Sequence, residues 1–99
     1  MTTESDGQQL ILIVDDSPTH VAVVRNALEG ASYRVAVAAT GLQGLELARE
    51  LIPDLIVMDV VMPDLNGFQT TRKLSRDPGT RHIPVVLASS KSSHSDRIW

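Results

Sequence analysis

The sequence predicts an α/β protein in which helices cover both faces of a parallel sheet. Four short apolar runs have the length and the branched residues of buried strands. Three segments between them place apolar residues at helical spacing. Because the connections are short, the strands should join through right-handed crossovers. A chain of 99 residues makes at most one domain.

The first strand and helix are the most clearly marked elements. Residues 10–14 form an unbroken apolar run, which is typical of a strand covered on both faces. Ser17 and Pro18 then supply a helix N-cap and a proline at the first helical position. We predict a helix to about Glu29, with Gly30 as its C-terminal cap.

A weaker strand and a second helix follow. The strand is predicted at 33–38, and the helix begins at Thr40-Gly41 and closes before Pro53. The apolar side chains at helical spacing in this helix are Leu42, Leu45, Ala48, Leu51 and Ile52.

The third strand, at 55–59, runs four apolar residues directly into a single carboxylate. A Met-Pro step and an Asn-Gly pair then turn the chain away. A third helix follows Gly67 and is broken by the run Arg-Asp-Pro-Gly at 76–79. Its inward side chains are predicted to be Phe68, Thr71 and Leu74. A fourth strand is predicted at 84–88, ahead of a polar loop.

The composition is ordinary for a globular chain and excludes several classes of function. A net charge of -3 gives no support for nucleic-acid binding through a basic surface. The absence of cysteine excludes disulfides and thiolate metal sites. Every apolar run falls far short of the roughly 18 residues of a membrane span. Because the N-terminus is polar, we expect a cytoplasmic protein with a mobile tail at 1–9.

Polar residues stand at the ends of three predicted strands. Asp15 and Asp16 follow the first, Asp59 ends the third, and Ser89 and Ser90 follow the fourth. The carboxyl ends of parallel strands share one edge, so these side chains should converge there. If the first and third strands are neighbours, three carboxylates lie close together, and their repulsion favours a hard divalent cation with oxygen ligands.

Magnesium suits such a site better than zinc, because cysteine is absent and the three histidines show no mutual ligand spacing. The alternative is that Asp15 and Asp16 only cap the first helix and that Asp59 only caps the following turn. Ser17 already supplies the N-cap, so Asp15 and Asp16 are not needed to cap the first helix. This favours the metal interpretation.

These motifs resemble the receiver domain of bacterial two-component response regulators over residues 10–99. The resemblance rests on the acid pair after the first strand, on Asp59 followed by Val-Val-Met-Pro and Asn-Gly, and on Pro-Val-Val-Leu-Ala-Ser ending at Ser89. Each motif is weak alone, but their order and spacing are highly specific. Within the family, 65–69 and 90–99 are most similar to stand-alone receivers of type IV pilus (twitching) motility and chemotaxis-like systems.

The resemblance implies a flavodoxin-like, doubly wound sheet of strand order 2-1-3-4(-5). It implies that Asp59 accepts a phosphoryl group from a sensor histidine kinase or a phosphotransfer protein, which alters binding to an unidentified protein target. Mg²⁺ would be bound directly by Asp16, Asp59 and the backbone carbonyl of Val61, and mostly through water by Asp15. Ser89 would be the switch hydroxyl that moves to the phosphoryl oxygens.

A complete receiver continues with a fifth strand, which ends in a lysine followed by proline, and with further helices. Neither Lys73 nor Lys91 occupies the position of that lysine. We therefore expect 10–99 to be a C-terminally incomplete receiver that is marginally stable or self-associates through an uncovered fourth strand.

Three functions remain to be compared. The leading one is a phosphorylation-dependent signalling switch, with no enzyme activity beyond self-phosphorylation and self-dephosphorylation. A receiver fragment that cannot be phosphorylated and serves as an interaction surface is the first alternative, because the family's lysine is missing. An aspartyl-nucleophile phosphatase is the second, although residues 59–62 lack the second acid of that class.

Overall fold

The computed structural model describes residues 8–62 and 64–88, which contain alternating strands and helices as predicted. Most of the predicted tail at 1–9 lies outside the described residues. Each element begins and ends within about a residue of its predicted bounds. The elements are β1 (Leu10–Val14), α1 (Pro18–Gly30), β2 (Arg34–Ala38), α2 (Gly41–Leu51), β3 (Leu55–Asp59), α3 (Gly67–Arg76) and β4 (Val85–Ala88).

The four strands form one parallel sheet in the order β2-β1-β3-β4, which confirms the order expected from the resemblance. At the carboxyl edge, Val14 is in register with Ala38 on one side and with Met58 on the other. Asp59 is in register with Ala88. The residues that follow β1 and β3 therefore emerge side by side, and β4 forms an edge of the described sheet.

The core lies around the two central strands. Four of the five β1 residues are buried, and so are Ile56 and Met58 of β3. Burial of consecutive residues means that both faces of the sheet are covered at this point, as the unbroken apolar runs predict. Among the described residues, no helix combines the length and the apolar composition needed to cross a membrane.

The predicted inward faces of α2 and α3 are partly wrong. Of the apolar residues predicted at helical spacing in α2, Leu42, Leu51 and Ile52 are exposed, and the buried face consists of Gly41, Gly44, Leu45 and Ala48. The reason is close packing: a Cβ added to Gly44 would lie 3.0 Å from both γ-carbons of Val14, so the small-residue face of the helix turns toward β1. In α3, Phe68 is exposed, whereas Thr70 and Leu74 are buried.

The predicted cap of α1 is displaced by one position. Gly30 is the last helical residue, and Ala31 is the C-cap, whose N–H donates to carbonyls of the last turn. Ser32 takes the left-handed conformation, with φ of 74°. The predicted N-cap Ser17 is observed, since its side chain accepts a hydrogen bond from His20 N. At the predicted start of α2, the side chain of Thr40 accepts from Gln43 N in the same way.

Candidate functional site

The three predicted acids converge at the carboxyl edge of the sheet. Asp15 and Asp16 follow β1, and Asp59 is the last residue of the neighbouring β3. One carboxylate oxygen from each lies within 4.8 Å of the others. Asp15 is 3% exposed and Asp59 is 2% exposed, whereas Asp16 is open to solvent. Two of the three like charges are therefore largely removed from water.

Asp15 is held at both of its carboxylate oxygens by the turn into α1. Its Oδ1 accepts a 2.9 Å hydrogen bond from Ser17 N, and its Oδ2 contacts Nδ1 of His20. Its backbone N–H donates to Ala38 O of β2 at 2.9 Å. Ligand spacing among the histidines alone does not reveal His20, because its partner is an acid five residues earlier in the sequence.

The segment after Asp59 is pressed against the start of α3. Gly67 N donates to Val60 O at 2.8 Å, and Val60 N donates to Ala88 O at 3.1 Å. A Cβ on Gly67 would lie only 2.4 Å from the carbonyl oxygen of Asp59, so only glycine permits this approach. Val61, whose carbonyl is a predicted metal ligand, is exposed two residues beyond Asp59.

A second acid, Asp64, ties this segment to α2. Its Oδ1 accepts from Gly41 N and its Oδ2 from Leu42 N, each at 2.9 Å. These backbone N–H groups, that of Leu42 first, hold the pKa of the Asp64 carboxyl below its usual value. The pairing joins residues 22 and 23 positions apart, so the local pattern did not predict it.

The three acids fit a magnesium ion. They offer only oxygen atoms at a spacing that one cation can bridge, and such an ion would offset the charge of two nearly buried carboxylates. A cleft of about 340 Å³ is lined by Asp15 and Asp16 together with residues of α1 and of the end of β2. Ser89 and Lys91 lie outside the described residues. Ala88, which precedes Ser89, is in register with Asp59.

A family profile described as the response regulator receiver domain matches residues 11–98. The chain belongs to this family. It is 46% identical over 89 residues to Protein PilH of Pseudomonas aeruginosa, a match that covers 90% of this chain and 74% of that protein. The resemblance on which the sequence analysis relied is thus confirmed.

Solved receiver structures have the same fold. The receiver domain of sensor histidine kinase PA1611 from Pseudomonas aeruginosa is 31% identical with a TM-score of 0.82, and the match covers 92% of this chain and 75% of that one. That structure has a magnesium ion coordinated in its active site cleft. Chemotaxis protein CheY4 of Vibrio cholerae is 28% identical with a TM-score of 0.80, covering 89% and 73%. The flavodoxin-like fold class is confirmed, and with PilH and CheY4 so is the predicted likeness within the family.

Proposed function

We propose that this receiver domain is a signalling switch in which Asp59 accepts a phosphoryl group in the presence of Mg²⁺. The observation that carries the proposal is the convergence of Asp15, Asp16 and Asp59 within 4.8 Å at the edge where β1 and β3 end. The donor is a sensor histidine kinase or a phosphotransfer protein. The phosphorylated domain then changes its binding to a downstream protein.

The reaction requires an ionised carboxylate in line with the phosphorus atom of the donor. An oxygen of Asp59 forms the new P–O bond while the P–N bond of the donor phosphohistidine breaks, and the departing imidazole retains the electron pair and takes up a proton. The product is an aspartyl phosphate. Positioning and charge compensation supply most of the catalysis in such transfers.

The metal would be held by Asp16, Asp59 and the backbone carbonyl of Val61, with Asp15 acting mostly through water. When bound, Mg²⁺ supplies positive charge next to the phosphoryl oxygens. The role of the protein's own residues is to hold the nucleophile Asp59 in a fixed position. Burial of Asp59 at the end of a paired strand and the contact of its carbonyl with Gly67 do this.

The register of β3 and β4 supports a route from the site to a binding surface. Asp59 lies opposite Ala88, and Val60 N donates a hydrogen bond to the carbonyl oxygen of Ala88. A phosphoryl group on Asp59 therefore forms next to the end of β4. Ser89, the next residue in the sequence, is the proposed switch hydroxyl that turns toward it.

The test is the intact mass of the folded chain after incubation with a small-molecule phosphodonor such as acetyl phosphate, with and without Mg²⁺. We expect the gain of one phosphoryl group that requires Mg²⁺ and is lost in Asp59→Asn. Glu46→Gln is the matched control, because it makes the same acid-to-amide change on the exposed face of α2.

The other outcomes separate the alternatives. A folded chain that gains no mass would contradict the proposal and favour an interaction surface that cannot be phosphorylated. Repeated hydrolysis of a phosphate ester, lost in Asp59→Asn, would favour a phosphatase. Transfer from a purified histidine kinase, followed with the same variants, then tests the proposed donor.

A further inference from the structure

His20 completes a closed network around the buried acid of the site. Its backbone N–H donates to Ser17 Oγ at 3.3 Å, which caps α1. Its ring returns through Nδ1 to Oδ2 of Asp15, whose Oδ1 accepts from Ser17 N. Nδ1 is the donor in this contact, since an ionised carboxylate can only accept. Each oxygen of Asp15 is therefore fixed by a donor from the same turn.

The two contacts of His20 are separable. The helix cap uses only its backbone N–H, so replacing the side chain leaves the cap intact. The ring, whose side chain is 32% exposed, stands between solvent and an acid that is 3% exposed. The imidazole is thus placed to restrain the carboxylate of Asp15 rather than to start the helix.

We propose that His20 is a positioning residue for the magnesium site, which it preorganises by fixing the side chain of Asp15. This inference rests on the proposed function, because it concerns the same metal. The donor on Oδ2 restrains rotation of the carboxylate, so that Asp15 presents the same oxygen geometry before and after the ion binds. Replacing a hydrogen-bond partner of a direct metal ligand typically lowers metal affinity by about 10- to 100-fold, and we take the lower end of this range because Asp15 acts on the ion mostly through water.

The test compares His20→Met, which removes the side-chain N–H, with His20→Asn, which keeps one. Both keep the backbone donor to Ser17, and Nδ2 of asparagine stands at the same position along the side chain as Nδ1 of histidine. Mg²⁺ affinity is measured at one pH by following amide chemical shifts during a titration of the unphosphorylated chain. We expect His20→Met to weaken Mg²⁺ binding by about tenfold and His20→Asn to restore most of it. Thr19→Ala, an exposed change one residue away, should leave the affinity unchanged.

A thermodynamic cycle with Asp15→Asn shows whether His20 acts through Asp15. If it does, adding His20→Met to Asp15→Asn causes no further loss of affinity. Unchanged Mg²⁺ affinity in His20→Met, tighter binding, or a full tenfold loss that persists beside Asp15→Asn would overturn the inference. Should His20→Met fail to fold, as judged by circular dichroism, His20→Ala takes its place in the cycle.

The outcome for the parent chain keeps the two proposals apart. A parent that binds Mg²⁺ and responds to His20→Met, yet gains no phosphoryl group, contradicts the proposed function while supporting the positioning role. If the parent chain is phosphorylated but His20→Met leaves its Mg²⁺ affinity unchanged, only the positioning role is contradicted. A parent that binds no Mg²⁺ contradicts both.

Discussion

The contact between Gly67 and Asp59 permits a direct test of how the start of α3 supports the acidic site. In Gly67→Ala, the new methyl group would lie 2.4 Å from the carbonyl oxygen of Asp59 and 2.9 Å from Cα of Val60. Ordinary van der Waals contact begins near 3.4 Å, so the two segments must separate by about 1 Å. Both atoms belong to the backbone, which means that no side-chain rotation can relieve the clash.

The expected loss of stability follows from that displacement. Overpacking of this kind costs about 1–3 kcal/mol. The hydrogen bond from Gly67 N to Val60 O, 2.8 Å long, crosses the same contact, and its weakening adds about 1 kcal/mol. A combined loss of about 2–4 kcal/mol corresponds to a fall in melting temperature of roughly 10 °C or more for a domain of this size. A misplacement of about 1 Å at the nucleophile also lowers the phosphorylation rate, on the order of 100-fold.

Gly30→Ala is the matched control, because a Cβ added there would meet nothing within 4 Å. Gly30 ends α1, so this change should stabilise the chain by up to about 1 kcal/mol and leave phosphorylation intact. Thermal unfolding and the rate of mass gain from a phosphodonor are measured for both variants. Parent-like stability and rate in Gly67→Ala would refute the reasoning. A lower melting temperature with an unchanged phosphorylation rate in the folded fraction would refute the expectation that displacement of Asp59 slows phosphorylation.

Two further predictions concern α2 and β4. The N–H groups of Leu42 and then Gly41 lower the pKa of Asp64 below its usual 3.8, so the ionised acid stabilises the fold above that value. Asp64→Asn should therefore lower the urea midpoint near neutral pH and have progressively less effect as the pH falls from 3.8 through the lowered pKa of Asp64, whereas a pH-independent difference would contradict this. Val86 is 50% exposed on β4, the edge strand of the sheet formed by residues 8–62 and 64–88. Val86→Lys should reduce a concentration-dependent rise in sedimentation mass, whereas Val23→Lys, 64% exposed on α1, should not; a parent that stays monomeric at all concentrations would contradict self-association.

The strand ends were predictable because all strands of a parallel sheet have their carboxyl ends at the same edge, and this holds for each strand separately. An apolar run that stops at an acid places that acid at the carboxyl edge, whatever the rest of the chain does. The order β2-β1-β3-β4, taken from the family resemblance, then brings Asp59 beside Asp15 and Asp16. The positions of these carboxylates therefore follow from local sequence and topology alone.

The inward faces of the helices required information that apolar spacing does not contain. Apolar spacing placed Leu42, Leu51 and Ile52 on one face of the second helix and predicted that Phe68 points inward in the third. All four side chains are exposed. In α2, the approach to β1 is close at a position without a side chain, since a Cβ added to Gly44 would lie 3.0 Å from both γ-carbons of Val14. The spacing of large apolar residues does not show which glycines face the sheet, although glycine is the residue that allows two backbones to approach closely.

The residues that support the acids escaped prediction for a different reason. His20 lies in the first turn of α1, where its ring reaches back five residues to Asp15 and its backbone N–H donates to Ser17 Oγ. Asp64 reaches α2 only because the sheet brings the end of β3 near Gly41. The Asp64 contact follows from the assembled fold, so no single segment predicts it, whereas the His20 contact joins residues only five positions apart and depends on the orientation of one side chain. The contacts of His20 and Asp64 hold groups that surround the candidate ligands. Variants at these two residues can therefore change how precisely the three acids are placed without altering the acids themselves.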